Sequence, residues 1–454
     1  MSANNSTVKP EDAWVRRGWR RVADLYSMSN IRPRERLVSG LLASNLFILL
    51  ASYYLLKTAR EALILGEAGA EVKSYAAAMQ PLILIGAAKA YSFLSSKQRT
   101  ISLLTSVMLF FVLAVLIFSV LTALSMQVGV VFFLFLGPLA LIIVAQFWAY
   151  SADLFTVEEG KRLFPIINLG GLLGAWAGAV LAGRLFQMMH TSQVLVLAAV
   201  GLTVHTGMYW VIQRVWWRSP SSGTAADTGV PLAQTDVFRL LLSDRYFLMI
   251  AGVALLLNVS KSNGEYLLGL FASEQARHQV AMGLAGGLTE QQLLGAVYGK
   301  VFAFVNVVGF LIQAAIVPWL FRRIGLRGAI LVLPCLAGIM STTTIAIPIL
   351  EVVMVARILE NSVDYSLQNT TLHGLFLPTS REAKYKVQAV VDTRLGDLFS
   401  GIFVFASVNW IRADPRQFAA LNTVAVGAWL VLAGFLGSRY KKLELNAKKS
   451  VEAL

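Results

Sequence analysis

Apolar residues run along this chain in blocks of about twenty, the length an α-helix needs to cross a hydrocarbon layer about 30 Å thick. The pattern predicts twelve such blocks, near residues 37–64, 75–95, 101–124, 128–154, 164–187, 192–213, 246–271, 292–320, 327–347, 349–376, 388–411 and 417–438. The strict alternation of a membrane β-strand is missing, so helices that satisfy their own backbone hydrogen bonds are the expected spanning structure. One polar interruption stands out. Residues 218–236, RSPSSGTAADTGVPLAQTD, read as a linker that splits the blocks six and six. The predicted organisation is a basic N-terminal segment (1–36), a six-helix bundle (37–217), the linker (218–236), a second six-helix bundle (237–438) and a tail (439–454).

Composition agrees with that reading. The chain is 57% hydrophobic and only 14% charged, with a mean hydropathy of +0.65, above the apolar content of soluble domains. It is expected to be an all-α integral membrane protein in contact with membrane lipids. The net charge of +14 comes mostly from segments that alternate along one side, among them VRRGWRR, RPRER, SKQR, FRRIGLR and RYKKLELNAKK. Lys73, Arg277, Arg412 and Arg416 fall on the other side. By the positive-inside rule both termini are cytoplasmic, and the basic excess needs no nucleic-acid partner. The first thirty residues lack the apolar core of a cleavable signal, and Glu11, Asp12 and Asp24 argue against a transit peptide, which leaves a bacterial inner membrane as the expected location. Within 1–36, Val15, Trp19, Val22 and Tyr26 share one helical face opposite the arginines, a pattern suited to the membrane interface.

The blocks themselves are not purely apolar. In YYLLKTAREALIL, residues 53–65, Lys57, Arg60 and Glu61 interrupt the first span. A charge at the bilayer centre costs about 2.5 to 3.5 kcal/mol on insertion scales, so such residues face a cavity or a partner. Further charges recur at Lys89, Asp153, Lys261, Glu265, Lys300, Arg357, Glu360, Asp364, Asp392, Arg394 and Asp397. Lys57 with Glu61, and Lys261 with Glu265, stand one helical turn apart, close enough to neutralise each other. The segment NVSKSNGE is expected to be distorted around Gly264, so that exchanging Lys261 and Glu265 would keep the fold. Gly170, Gly174 and Gly178, four apart, predict close helix packing and not a phosphate loop, which needs a Lys-Ser/Thr after its glycines.

Six spans, a linker and six spans make the arrangement of a major-facilitator-type transporter, two bundles about a central site. At the charged positions the chain also resembles a narrower family. YYLLKTAREALIL with GAEV is similar to the first-helix signature of the ATP/ADP translocases, the non-mitochondrial nucleotide exchangers, with Lys57, Arg60 and Glu61 at its charged positions. FWAYSADLFTVEEGKRLFP (147–165) and DYSLQNTTLHGLFLPTSREAKYKVQAVVD (364–392) match that family's fourth-to-fifth and tenth-to-eleventh helix segments. The resemblance implies nucleotide exchange by alternating access. The chain departs from the pattern at Leu136, where the exchangers carry a glutamate, and at Leu372-His373, where they carry Lys-Glu. At Lys261 and Glu265 the signs are reversed.

The candidate substrate-binding residues are therefore Lys57, Arg60, Glu61, Asp153, Lys261, Glu265, Arg357, Asp364, His373, Arg394 and Asp397. A phosphate-bearing solute is the expected substrate, with a phospholipid or another lipid bearing an anionic head group as the alternative. An enzyme is disfavoured because no nucleophile-base set is present. No cofactor or metal is implied. His190, His205, His278 and His373 lack ligand spacing, and Cys335 is the single cysteine. The topology is tested by a cysteine at Ser221 in a chain lacking Cys335. Impermeant reagents are expected to label it only from the cytoplasmic side, and labelling from outside intact cells would invert the bundle orientation.

Overall fold

A computed structural model of the chain describes residues 33–95, 100–215, 244–376, 379 and 396–452. Among them twelve helical rods follow one another: α1 (Pro33–Glu67), α2 (Gly69–Ser95), α3 (Thr100–Ala123), α4 (Gly129–Leu154), α5 (Val157–Leu185), α6 (Thr191–Val215), α7 (Arg245–Ala281), α8 (Glu290–Arg323), α9 (Gly325–Ala346), α10 (350–375), α11 (396–410) and α12 (Pro415–Glu452). The linker at 218–236 and the interfacial face of the N-terminal segment lie outside the described residues. Helix α12 continues to Glu452 where the sequence predicts a tail from residue 439.

Local signals account for the turns. Thr156 starts α5 with a capping box: its hydroxyl accepts from the Glu159 N–H, and the Glu159 carboxylate accepts from the Thr156 N–H. Thr289 and Gln292 do the same for α8. Between α1 and α2 the chain reverses within two residues, with Gly69 at a φ of +83° that side chains rarely adopt.

Nine rods are long and apolar enough to cross a membrane. The other three, α2, α10 and α11, are the ones interrupted by Lys73, Gln80 and Pro81, by Arg357, Glu360 and Asp364, and by Asp397. Helices α8, α10 and α11 each contain a π-helical turn, at Ile312–Ile316, Asp364–Gln368 and Ala406–Trp410. Helix α7 is continuous through Gly264, which overturns the distortion expected there.

The packing repeats with an offset of six helices. Helix α1 packs on α4, α5 and α6 as α7 packs on α10, α11 and α12, and the pairs α2 with α4 and α3 with α6 recur as α8 with α10 and α9 with α12. The repeat is invisible as sequence similarity because it consists of contacts. The halves meet where α5 and α1 cross α8 and where α11 and α7 cross α2. The contacts between them run from mid-helix, where the Tyr54 hydroxyl donates to Asn306 at 3.0 Å, to the end away from Pro33 and Glu452. There Gly183 lies against Gly299, Gly401 against Ala78, and Thr191 donates to Gln291 at 3.0 Å.

Within the first half, α5 lies directly on α1. A Cβ at Gly170, Gly174 or Gly178 would overlap the backbone of Ala43, Phe47 or Ala51 respectively, the close approach that small residues permit between membrane helices. Gly174→Val should therefore lower the thermal unfolding midpoint in detergent, with an overpacking cost of about 1–3 kcal/mol or more. Gly207→Ala faces open space and should leave the midpoint unchanged. Equal midpoints for the two variants would show that the α1–α5 contact does not depend on the glycines.

Candidate functional site

The short turn after α1 brings the start of α2 back beside the charges of α1. Lys73, expected in an outer loop, is instead 5% exposed and forms part of α2. Its ammonium lies 2.7 Å from Glu61 and 3.5 Å from Glu265 and donates to the Tyr298 hydroxyl at 3.1 Å. Arg60 pairs with the other oxygen of Glu61. On the far side, Arg357 donates to Glu265 at 3.0 Å, to Asn361 at 3.0 Å and to Glu360. The Asn361 amide completes the Glu265 shell at 3.2 Å. The result is a chain of alternating charge, Arg60, Glu61, Lys73, Glu265, Arg357 and Glu360, drawn from α1, α2, α7 and α10.

Its division between the halves is unequal. In the first half Arg60 and Lys73 outnumber Glu61 by one positive charge, and in the second Glu265 and Glu360 outnumber Arg357 by one negative charge. The Lys73–Glu265 pair therefore joins a cationic set to an anionic one. Buried ions tolerate this arrangement only when each has counter-charges and hydrogen bonds, since removing one partner costs about 3–5 kcal/mol.

Neither i, i+4 pair that the helical spacing allows forms. Glu61 turns to Arg60 and Lys73, while Lys57 rests on the rings of Phe302 at 4.1 Å and Tyr54 at 5.1 Å. Lys261 reaches Asp364 at 2.6 Å, over the Tyr365 ring, at the π turn of α10. Glu265 points to Arg357 and Lys73. Helical spacing allowed the local pairs, but packing placed counter-charges from other helices nearer. Gly264 has a different role from the expected distortion: a side chain there would overlap the Arg357 guanidinium, so the glycine makes room for the arginine to reach Glu265.

A cavity of about 200 Å³ lies between the halves. Lys57, Arg60, Glu61, Lys261, Glu265 and Asp397 line it, together with Lys73, Gln80, Asn361 and the rings of Tyr53, Phe133, Phe302 and Tyr365. Arg60 also lies 4.5 Å from the Phe133 ring centroid. Arg357 and Asp364 stand just behind this wall and border a smaller space beside Trp429. Asp153 is exposed near the C-terminal end of α4, and His373 is exposed near the end of α10; neither lines the cavity. Lys89 and Lys300 are likewise exposed. These four are placed near helix ends or on outward faces, which spacing within an apolar run does not distinguish from inward ones. Arg394 and Asp392 lie outside the described residues.

Sequence reasoning missed Lys73, Asn361 and Tyr298. A signal for the first was present, since Lys73, Ala77 and Gln80 follow at i, i+4 and i+7 and all line the cavity. Leu136, at one of the departures from the exchanger pattern, is fully buried in the apolar core. No cluster of metal-ligating side chains occurs among the described residues. His205 is buried among aromatic rings, with Nδ1 3.3 Å from the Asn45 carbonyl oxygen.

No family model matches the sequence, and no curated protein matches it. Solved structures do match. The nucleoside transporter NupG aligns at 14% identity and a TM-score of 0.56, over 90% of this chain and 100% of its own. A bacterial homologue of the iron transporter ferroportin, in an inward-facing state, aligns at 16% and 0.60, over 89% and 98%. The peptide transporter POT aligns at 11% and 0.61, over 89% and 94%. The fold is of the major-facilitator type. At these identities the likeness is one of architecture, and the cavity is read from this chain's own residues.

The observed pairings make a charge-exchange prediction. The double variant Lys261→Glu with Glu265→Lys would set a new carboxylate against Asp364 and a new ammonium against Arg357 and Lys73, so it is expected to aggregate on size exclusion. Exchanging the observed partners, Lys261→Asp with Asp364→Lys, should give a monodisperse protein. The reverse result would mean that the local pair governs folding.

Proposed function

We propose that this chain is an alternating-access transporter of a phosphate-bearing anionic solute, a nucleotide being the form suggested by the resemblance to the ATP/ADP translocases. One observation carries the reading. Lys57 faces a cavity between the halves with aromatic rings beneath it and no carboxylate partner among the described residues. Next to it Arg60, 14% exposed, shares Glu61 with Lys73. A pair of cations one turn apart, one uncompensated and one only partly so, suits a dianionic phosphate, with Arg60 presenting a planar fork to it. The neighbouring rings offer flat surfaces for an attached heterocycle.

The unequal charge of the halves supplies a coupling. With both termini cytoplasmic, as the loop charges suggest, the observed contacts close the outer end of an inner-membrane protein. An anion bound to Lys57 and Arg60 offsets the excess positive charge of the first half and weakens its attraction to the Glu265 set. Among the described residues, opening at the outer end then has to break one ion pair, Lys73–Glu265, while the pairs inside each half stay whole. The apolar core around Leu136 replaces a charge of the exchangers, so selectivity among nucleotides is expected to differ from theirs.

Reconstitution into liposomes with labelled nucleotides, phosphorylated metabolites and fluorescent phospholipids tests the proposal, with uptake of a phosphorylated solute expected. Movement of phospholipid alone would replace it with the lipid reading. For the transported solute, Lys57→Ala and Arg60→Ala should each weaken binding by about 1.5–3 kcal/mol, roughly 10- to 150-fold. Lys89→Ala, on an exposed face, should leave affinity unchanged. Wild-type affinity in the Lys57 variant would remove the phosphate site from this cavity.

A further inference from the structure

A second basic feature lies far from the central cavity, at the terminal end of the bundle. A groove of about 570 Å³ runs between the start of α7 and the last part of α12. Arg245, Arg439 and Lys442 form its rim, and all three are exposed. None has an ion-pair partner among the described residues. The carboxylate of Asp244, adjacent in sequence, accepts the Tyr246 N–H and caps α7. The floor is apolar: Leu248 is 41% exposed and Phe435 65%, with Leu432 and Met249 beside them.

The order of these residues along the two helices is informative. On α12, Phe435, Ser438, Arg439 and Lys442 occupy one face at i, i+3, i+4 and i+7, turning from apolar to cationic toward the C-terminus. On α7, Arg245 precedes Leu248 and Met249 by about 5 Å of helix. The helices run in opposite directions, yet both place cations at the same end and exposed apolar side chains one to two turns deeper. This gradient matches a lipid standing in one leaflet, with its head group at the rim and its acyl chains along the floor. Cationic pockets at the membrane surface favour anionic head groups. A soluble anion would have no use for the exposed phenylalanine below.

We propose that this groove is a binding site for an anionic phospholipid, held by Arg245, Arg439 and Lys442 through its phosphate and by Leu248 and Phe435 along its chains. The site is distinct from the transport cavity and goes beyond the proposed transport function. With cytoplasmic termini, its lipid belongs to the inner leaflet.

Native mass spectrometry of the full chain with phosphatidylglycerol and with phosphatidylcholine of identical acyl chains tests it. Phosphatidylglycerol should bind the more tightly. The triple variant Arg245→Gln, Arg439→Gln, Lys442→Gln should lose about 100-fold in affinity for it, at roughly fivefold per cation, and should fall to the phosphatidylcholine level. Phe435→Ser should weaken both lipids. These side chains are exposed, so the lipid-free unfolding midpoint should be unchanged, which separates lost binding from lost folding. Equal affinity for the two lipids, or an unaffected triple variant, would overturn the site. Displacement of phosphatidylglycerol by inorganic phosphate or glycerol phosphate at comparable affinity would identify a soluble-anion site in its place.

Discussion

A carboxylate inside a membrane protein is stable only where cations and hydrogen-bond donors surround it, and Glu265 is the carboxylate on which the two halves of this chain meet. Arg357 and Asn361 hold it from its own half, and Lys73 approaches from the other. Around that contact the requirement for counter-charge propagates outward. Lys73 needs Glu61, Glu61 is shared with Arg60, and Arg357 needs Glu360 as well as Glu265. The cavity occupies the space beside this chain of charges, and Lys57 enters it without a carboxylate of its own among the described residues.

The network depends on packing that contains no charge. Its charges come from four helices, and they meet because those helices approach closely. Glycines of α5 let its backbone rest on α1, which carries Lys57, Arg60 and Glu61. Gly183 and Gly299 let α5 meet α8, which carries Tyr298 and Phe302. Gly264 leaves the volume that the Arg357 guanidinium fills. In each place a glycine admits a neighbouring group where a methyl would exclude it, so small residues and buried charges belong to one arrangement.

The two basic features of the molecule differ in surroundings and so in the ligand they fit. The central cations lie between helices among carboxylates, where an anion bound as proposed would change the balance between the halves. Those of the peripheral groove stand at a helix end above exposed apolar side chains and contact neither half-to-half seam. One arrangement suits a solute that must be released, the other a lipid that remains beside the protein.

Sequence alone marked the blocks that become helices, nine of which among the described residues are long and apolar enough to cross, because the hydrocarbon thickness sets the length of an apolar block regardless of what packs against it. It also marked the glycine stripe of α5 and most of the cavity's charges, since a charge in such a block must face inward or find a partner. It could not choose the partners. Lys57 and Glu61, and Lys261 and Glu265, are one turn apart, yet counter-charges from α2 and α10 took precedence, and only the folded arrangement of helices reveals that. For the same reason Lys73 read as a loop residue, while Asp153 and His373 read as site residues. Spacing along one helix gives the face a side chain occupies, but which faces enclose the cavity was decided by the packing of twelve helices.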